Sequence, residues 1–272
     1  MPSASESASS ALSGPAIHER WESVYRNPHS ERLYELVFDW IAEHGGVPAG
    51  SRWLDIGCGI GQHAMRLQRR GYRVVAADFS PDRVRAASAH IQEMGLASDI
   101  AVQREDLVAG LSFPAATFDA VLCWGVLMHI PMLETAMSEL IRVTRPGGKL
   151  FLYEANIGGL DATISRLGSL GRGLLGKSRF RRIVSGPYGR EYWVHTDEGG
   201  LVIRHARMPA LRRFFESHGC RYQARICGEF TEWYGRSGAL APLLHAWNEF
   251  WFRSVRSPYL AHGNLLVFEK RR

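Results

Sequence analysis

The sequence predicts an α/β protein built on a doubly wound, mostly parallel sheet, and three features carry that prediction. Short apolar segments suited to buried strands recur along the first half of the chain: RWLDI at 52–56, RVVAAD at 73–78 and FDAVLCW at 118–124. The strand segments alternate with amphipathic stretches of helical period, the pattern of a parallel sheet with helices on both faces. The first strand also runs directly into a turn in which Gly57, Gly59 and Gly61 alternate. Glycine there permits positive φ and lets a ligand approach where a Cβ would clash.

Taken in order, residues 1–16 (MPSASESASSALSGPA) are Ser/Ala-rich and lack Lys and Arg, so they are expected to form a disordered tail rather than a signal peptide. Residues 17–50 read as one short and one longer amphipathic helix, with Trp21 and Tyr25 spaced i, i+4, as are Leu33 and Val37. Residues 51–155 hold the strand–helix alternation. Ser80-Pro81-Asp82 opens a helix with a cap and a proline at its first position. An insertion at 156–207 combines a Gly- and Arg-rich run with a hairpin, EYWVHTDEGGLVIRH. Residues 208–272 supply a helix (208–219), two strands (220–230 and 263–271) and, between them, a second insertion at 231–261 with an aromatic helix.

Read from Gly59, the letters GIGQHA also fit the dinucleotide pattern G-x-G-x-x-G/A, with Asp78 about twenty residues on. Asp55 separates the two cofactor classes. It stands two residues before Gly57 and gives D-x-G-x-G-x-G, where an acid beside a pyrophosphate would be repulsive. This run resembles motif I of the class I S-adenosylmethionine (SAM) methyltransferases of small-molecule type. The resemblance extends through the RVVAAD strand, the IAVQRED segment ending in Asp106, FDAVLCW and the RPGGKLFLYE turn and strand at 145–154.

The resemblance implies a seven-stranded sheet with an antiparallel last strand, an N-terminal helical lid over the cofactor and an inserted substrate cap. It implies SAM as cofactor, with S-adenosylhomocysteine as product. The implied cofactor set is Asp55, Gly57, Cys58, Gly59, Gly61, Asp78 and Phe79, with Asp106, Leu107 and Trp124. In the family, the acid matching Asp78 binds the ribose hydroxyls and the acid matching Asp106 lies near the adenine amino group. Ligand spacing suggests no metal.

Methyl transfer from a sulfonium is an in-line displacement, so the protein mainly supplies alignment and a dry pocket. An oxygen or protonated nitrogen acceptor must also lose a proton. His129, in CWGVLMHIP just after the fourth strand, is the expected general base, and His129→Ala is expected to lower kcat with SAM affinity barely changed. Tyr25, Trp193, His195, Trp233 and Tyr234 are the expected substrate-binding residues, in a cap dense in aromatic side chains that suits an aromatic or anionic metabolite.

The net charge of +6 conceals an asymmetry. Residues 17–155 carry 14 Lys/Arg against 17 Asp/Glu, whereas residues 156–272 carry 19 against 9. An acidic cradle suits a sulfonium cofactor. The run 162–190 holds seven Lys/Arg and no acid, which leaves three readings: a grip on an anionic substrate, a weak contact with an anionic membrane surface, or a solvated loop. Four cysteines without paired spacing read as free thiols of a cytoplasmic protein, and no apolar run is long enough to span a membrane. Monomer and dimer stay open. The rival functions are a nucleic-acid methyltransferase, encouraged by the basic C-terminal half, and an NAD-dependent oxidoreductase. Against the first, the (N/D)PP(Y/F) signature is absent after the fourth strand and no RNA-binding module is recognisable.

Overall fold

In the computed structural model, which describes residues 12, 21, 25–166, 182–196, 199–236 and 238–272, the predicted strands form at the predicted places. After helix α1 (Pro28–His44), strand β1 (Arg52–Ile56) leads into α2 (Gln62–Arg69). Then follow β2 (Arg73–Asp78), α3 (Pro81–Glu93), β3 (Ile100–Arg104) and β4 (Phe118–Trp124). Helix α4 (Leu133–Val143) and β5 (Thr144–Ala155) complete this half. The second half holds β6 (Arg182–Gly186), β7 (Gly189–Thr196), β8 (Gly199–Ala206), α5 (Met208–Ser217), β9 (Cys220–Glu229), α6 (Ala241–Ser254) and β10 (Gly263–Lys270).

Seven strands make one sheet in the order β3-β2-β1-β4-β5-β10-β9. It is mostly parallel with one antiparallel strand. β1 pairs in parallel with β2 on one side (Leu54 opposite Val75) and β4 on the other (Leu54 opposite Val121). Four of its five residues are buried, as expected of a central strand covered on both faces.

The chain divides into two compact units. The core unit comprises Glu35–Leu152, Arg213–Ala224 and Leu266–Arg272. Trp53, fully buried, stacks on Phe151 with ring centroids 5.0 Å apart. Ser80 accepts from the Arg83 amide at the start of α3, with Pro81 behind it, as the sequence predicts. At the other end of the sheet, Lys270 Nζ donates to the Ile141 and Thr144 carbonyls (2.7 and 2.8 Å), satisfying acceptors at the C-terminus of α4.

Among the first five strands the alternation with helices fails at one place: no helix joins β3 to β4. Residues 105–117 lack a helical apolar stripe and carry Gly110 and Pro114, so the backbone is satisfied by side chains instead. Glu139 of α4 accepts from the Leu111 amide (2.8 Å), and Arg142 donates to the Leu111 and Phe113 carbonyls (2.8 and 2.7 Å).

The aromatic unit comprises Met1–Tyr34, Tyr153–Arg212 and Arg225–Leu265. The predicted hairpin is β7–β8, with Trp193 opposite Val202. It gains a third antiparallel strand, β6, that the Gly/Arg-rich composition of its segment hides, although Ile183-Val184 is β-branched. Arg204, almost wholly buried, pairs across the hairpin with Glu191 (2.7 Å), whose other oxygen accepts from Trp193 Nε1. Buried Asn248 of α6 accepts from the Phe230 and Thr231 amides (3.1 and 2.9 Å) and donates to the Thr231 carbonyl (2.9 Å). Phe230, Tyr234 and Phe252 are buried in this unit while Trp247 and Phe250 are exposed, so its aromatic residues divide between core and surface. Residues 167–181 of the basic run and nearly all of the N-terminal tail lie outside the described residues.

Candidate functional site

β1 places Asp55 one residue before the end of the strand, where its side chain is buried. Its carboxyl accepts from the Ala64 amide in the first turn of α2, a helix whose N-cap, Gly61, makes no side-chain cap. Its Oδ2 is buried and has no hydrogen-bond partner. Burial, followed by the repulsion of Asp78, pushes the carboxyl up to about 7 against the pull of the Ala64 amide and Arg66.

The turn that follows needs its glycines for different reasons. Gly57 has φ +74°, and a Cβ there would overlap Val126 Cγ2; at Gly61 (φ +81°) it would lie 2.9 Å from Ile91 of α3. Gly59 (φ +56°) meets nothing within 4 Å, which leaves an open cradle over the turn. The Gly57 and Cys58 amides donate to the Ala77 carbonyl (2.7 and 3.0 Å). Asp78, at the end of β2, accepts from the Gly59 amide through Oδ2 and from the Ser80 amide through Oδ1, both at 3.0 Å.

Cys58 is buried, and burial together with Asp55 and Asp78 raises its thiol well above the ordinary range, so it is an inert small residue here. Phe79 is half-buried beside Asp78, and Leu107 is buried. Asp106 lies two residues beyond β3 rather than on it. Its Oδ1 accepts from the Val108 and Ala109 amides (2.8 and 3.3 Å), which holds the half-buried carboxyl in a turn.

Trp124, the last residue of β4, packs on His63 (4.9 Å between centroids) and Phe38 of α1 (5.6 Å). His63 belongs to the same wall, and the sequence reading missed it. A polar residue at the first turn of α2 carries no local signal that it will stack in an aromatic wall, half-buried. Burial and the Arg66 charge hold its imidazole well below the usual range, so it is neutral. His129 ends a 3-10 turn (Leu127–His129) after β4 and is half-buried.

The five expected substrate residues fall in the aromatic unit, but only some of them converge. Tyr25 donates to Glu232 (3.2 Å) and Tyr234 to Glu229 (2.6 Å), which also accepts from Tyr153 (3.2 Å). Trp193 lies in the β7–β8 hairpin bonded to Glu191, and Trp233 is half-buried in a 3-10 turn. His195 is on β7, and its side chain lies outside the described residues. The carboxylates at the centre, Glu229 and Glu232, were not anticipated; their partners come from sequence positions as distant as Tyr25.

A doubly wound sheet with a glycine turn framed by Asp55 and Asp78 is the arrangement of a nucleotide-cofactor-binding Rossmann-like domain. Residues 54–152 match the family model described as a methyltransferase domain, so this segment of the chain is similar to such a domain. Among curated proteins it is similar to a ubiquinone biosynthesis O-methyltransferase of Xanthomonas axonopodis pv. citri (strain 306). The two are 41% identical over 110 residues, which is 40% of this chain and 45% of that protein. The chain spans about half the length of the curated relatives it matches. Among solved structures, a magnesium protoporphyrin IX methyltransferase from Synechocystis PCC 6803 with bound SAH aligns with a TM-score of 0.60 at 15% identity, covering 97% of this chain and 99% of that one. A 4+2 cyclase aligns with a TM-score of 0.56 at 19% identity, covering 87% and 81%. At such identities the likeness is one of fold, and the fold alone does not name the reaction. The dinucleotide reading of the turn gives way to the methyltransferase match.

The residues present fit SAM. The orphaned Asp55 oxygen suits an ammonium or hydroxyl donor, the open space at Gly59 leaves room for close approach, and the acids complement a cation. No group of three or more metal-ligating side chains is found among the described residues. Nor is any helix among them long and apolar enough to cross a membrane.

Proposed function

We propose that the protein moves a methyl group from SAM to an oxygen of a small aromatic acceptor. The observation that carries this reading is the 54–152 methyltransferase domain together with curated relatives named as O-methyltransferases. When bound, SAM supplies a methyl carbon already activated by its positively charged sulfur. Asp55 and Asp78 would hold it on the glycine turn, and Phe38, His63 and Trp124 form an aromatic wall in the same unit that supports the reading of α1 as a cofactor lid.

Tyr25, Trp233 and Tyr234 would surround the acceptor ring. The carboxyls of Asp161, Glu229 and Glu232 in the aromatic unit favour a neutral hydroxyl over an anionic group beside them, which narrows the acceptor to its aromatic class. His129 is a candidate for the methyl-transfer side of the cofactor loop by its place after β4.

The test is to incubate the purified protein with SAM and a panel of phenols, amines, carboxylates and tRNA. Mass spectrometry follows the gain of one methyl, with S-adenosylhomocysteine release as a second readout. Methylation of phenols above the other classes is expected. Methylation of tRNA or amines alone would overturn the acceptor class, and failure to bind SAM would overturn the whole reading.

A further inference from the structure

Within the aromatic unit, His262 is held through its backbone and through one ring nitrogen. Its amide donates to the Phe230 carbonyl (2.8 Å), and its own carbonyl accepts from the Asn156 amide (2.7 Å). The side chain is 9% exposed, and its Nε2 faces Glu232 Oε2 at 3.4 Å. Glu232 is itself positioned: Tyr25 donates to the same oxygen (3.2 Å), and its amide donates to Asp161 Oδ2 (2.9 Å). Asp161 is fixed in turn by Thr231 Oγ1, and the Thr231 backbone by Asn248. The remaining nitrogen, His262 Nδ1, is buried and has no hydrogen-bond partner.

A neutral imidazole whose Nε2–H points at a carboxylate carries its lone pair on Nδ1. A buried histidine with a purely architectural role ordinarily satisfies both nitrogens. The arrangement of a carboxylate orienting an imidazole whose other nitrogen awaits a proton is the logic of an activated base. We propose that Glu232 and His262 form a general-base dyad in which His262 Nδ1 takes the hydroxyl proton of a phenolic acceptor. The assignment rests on the O-methyltransferase reading above and passes the base role from His129 to His262.

In the step, the acceptor O–H bond breaks and an N–H bond forms at Nδ1. The electron pair stays on oxygen as a phenolate, and the imidazole becomes an imidazolium. The proton later leaves to solvent, which restores the base. The groups facing His262 favour that direction. Glu232, Glu229 and Asp161 each stabilise an imidazolium there, and the latter two are in electrostatic contact with it. His205 faces it edge-on with ring centroids 6.0 Å apart. Burial, and next an imidazolium at His262, pushes His205 down to about 4, so it stays neutral when His262 takes the proton; Arg190 and Tyr192 are its other neighbours. His205 Nδ1 is likewise buried without a partner, so both orphaned nitrogens belong to one facing pair of rings. That coincidence points to a ligand polar group rather than to a packing fault at a single residue.

The probe is 4-nitrophenol, whose phenolate is distinguished from the phenol by absorbance, added to the full chain with and without S-adenosylhomocysteine. The wild type should raise the phenolate fraction of the bound probe at least tenfold over that of free probe at the same pH, below its solution pKa. His262→Gln keeps a donor toward Glu232 but removes Nδ1. It should bind the probe within about threefold of wild type, lose the phenolate signal, and lose the base-dependent limb of the kcat–pH profile. Glu232→Gln should lower the signal about tenfold while the nitrogen remains. His129→Gln should leave it unchanged.

A phenolate signal retained in His262→Gln, lost in His129→Gln, or absent because wild type does not bind the probe would overturn the dyad. If His262→Gln does not fold by thermal melting, Glu232→Gln and His129→Gln decide the matter by the same readout. Calorimetry with S-adenosylhomocysteine separates the two claims. Binding of that product without a His262-dependent signal removes the dyad alone, and no binding removes the methyltransferase reading.

Discussion

The amide of Gly59 donates to Asp78 Oδ2 at 3.0 Å, so the acid that ends β2 fixes the turn that follows β1. Its other oxygen receives the Ser80 amide and fixes the entry to α3. One carboxylate thus sets the shape of the cradle as well as its charge. Asp78→Ala should raise the Kd for SAM by ~10–100-fold, the scale of one charge-assisted hydrogen bond, and should also lower the melting temperature. Asp78→Asn should fall between, because an amide oxygen accepts only one of the two backbone donors. Calorimetry and thermal melts measure both effects. Wild-type SAM affinity in Asp78→Ala would contradict the assignment.

Gly57 and Gly59 should respond differently to the same substitution. Gly57→Ala meets both positive φ and the Val126 side chain, and should destabilise the fold by about 2–4 kcal/mol. Gly59→Ala meets positive φ but open space, and should cost only about 1–2 kcal/mol while filling the cradle and weakening SAM binding ~100-fold. Urea unfolding alongside calorimetry distinguishes the two. Equal losses of stability with equal losses of affinity would argue against an open cradle at Gly59.

Asp55 makes the site sensitive to pH. Its carboxyl stands at about 7 in the folded protein against 3.8 as an ordinary aspartate. The folded state therefore holds a proton that the unfolded chain releases between about pH 4 and 7, and this residue's contribution to stability falls as pH rises through that window. A cationic cofactor favours the ionised carboxylate. Its affinity should rise as pH increases toward 7, by up to tenfold per unit, with a proton released on binding. Calorimetry in buffers of different ionisation enthalpy counts that proton. Asp55→Asn should abolish both the release and the pH slope, and a slope unchanged in that variant would move the titrating group elsewhere.

The sheet was legible because its strands are local patterns. RWLDI, RVVAAD and FDAVLCW became β1, β2 and β4 residue for residue, since burial on both faces favours a mostly apolar run. The glycine turn was legible for a similar reason, because the glycines and Asp55 lie within seven positions. β6 was hidden by the Gly/Arg composition around Ile183-Val184, and the β3–β4 loop by side-chain hydrogen bonds from a helix further along the chain. The Glu232–His262 pair has no local pattern at all. Tyr25, Asp161, Glu232 and His262 meet through folding, and only Asn248, Thr231 and the backbone of Asn156 reveal how they are held.

Glu35 offers a final test, of how α1 is held within the core unit. Arg66 is 2% exposed, and its Nε lies 3.2 Å from Glu35 Oε1; Arg70 reaches the other oxygen at 2.8 Å. Arg70 also pairs with Asp39, which is well exposed. A buried guanidinium deprived of its carboxylate is costly, whereas an exposed pair adds little. Glu35→Gln should therefore lower stability by about 2–4 kcal/mol with the urea m-value unchanged, and Asp39→Asn by less than about 1 kcal/mol. Phe38, one turn from Glu35, packs on His63 and Trp124, so Glu35→Gln should also weaken SAM binding if α1 closes the cofactor wall. A destabilised Glu35→Gln that binds SAM as well as wild type would restrict α1 to a structural role.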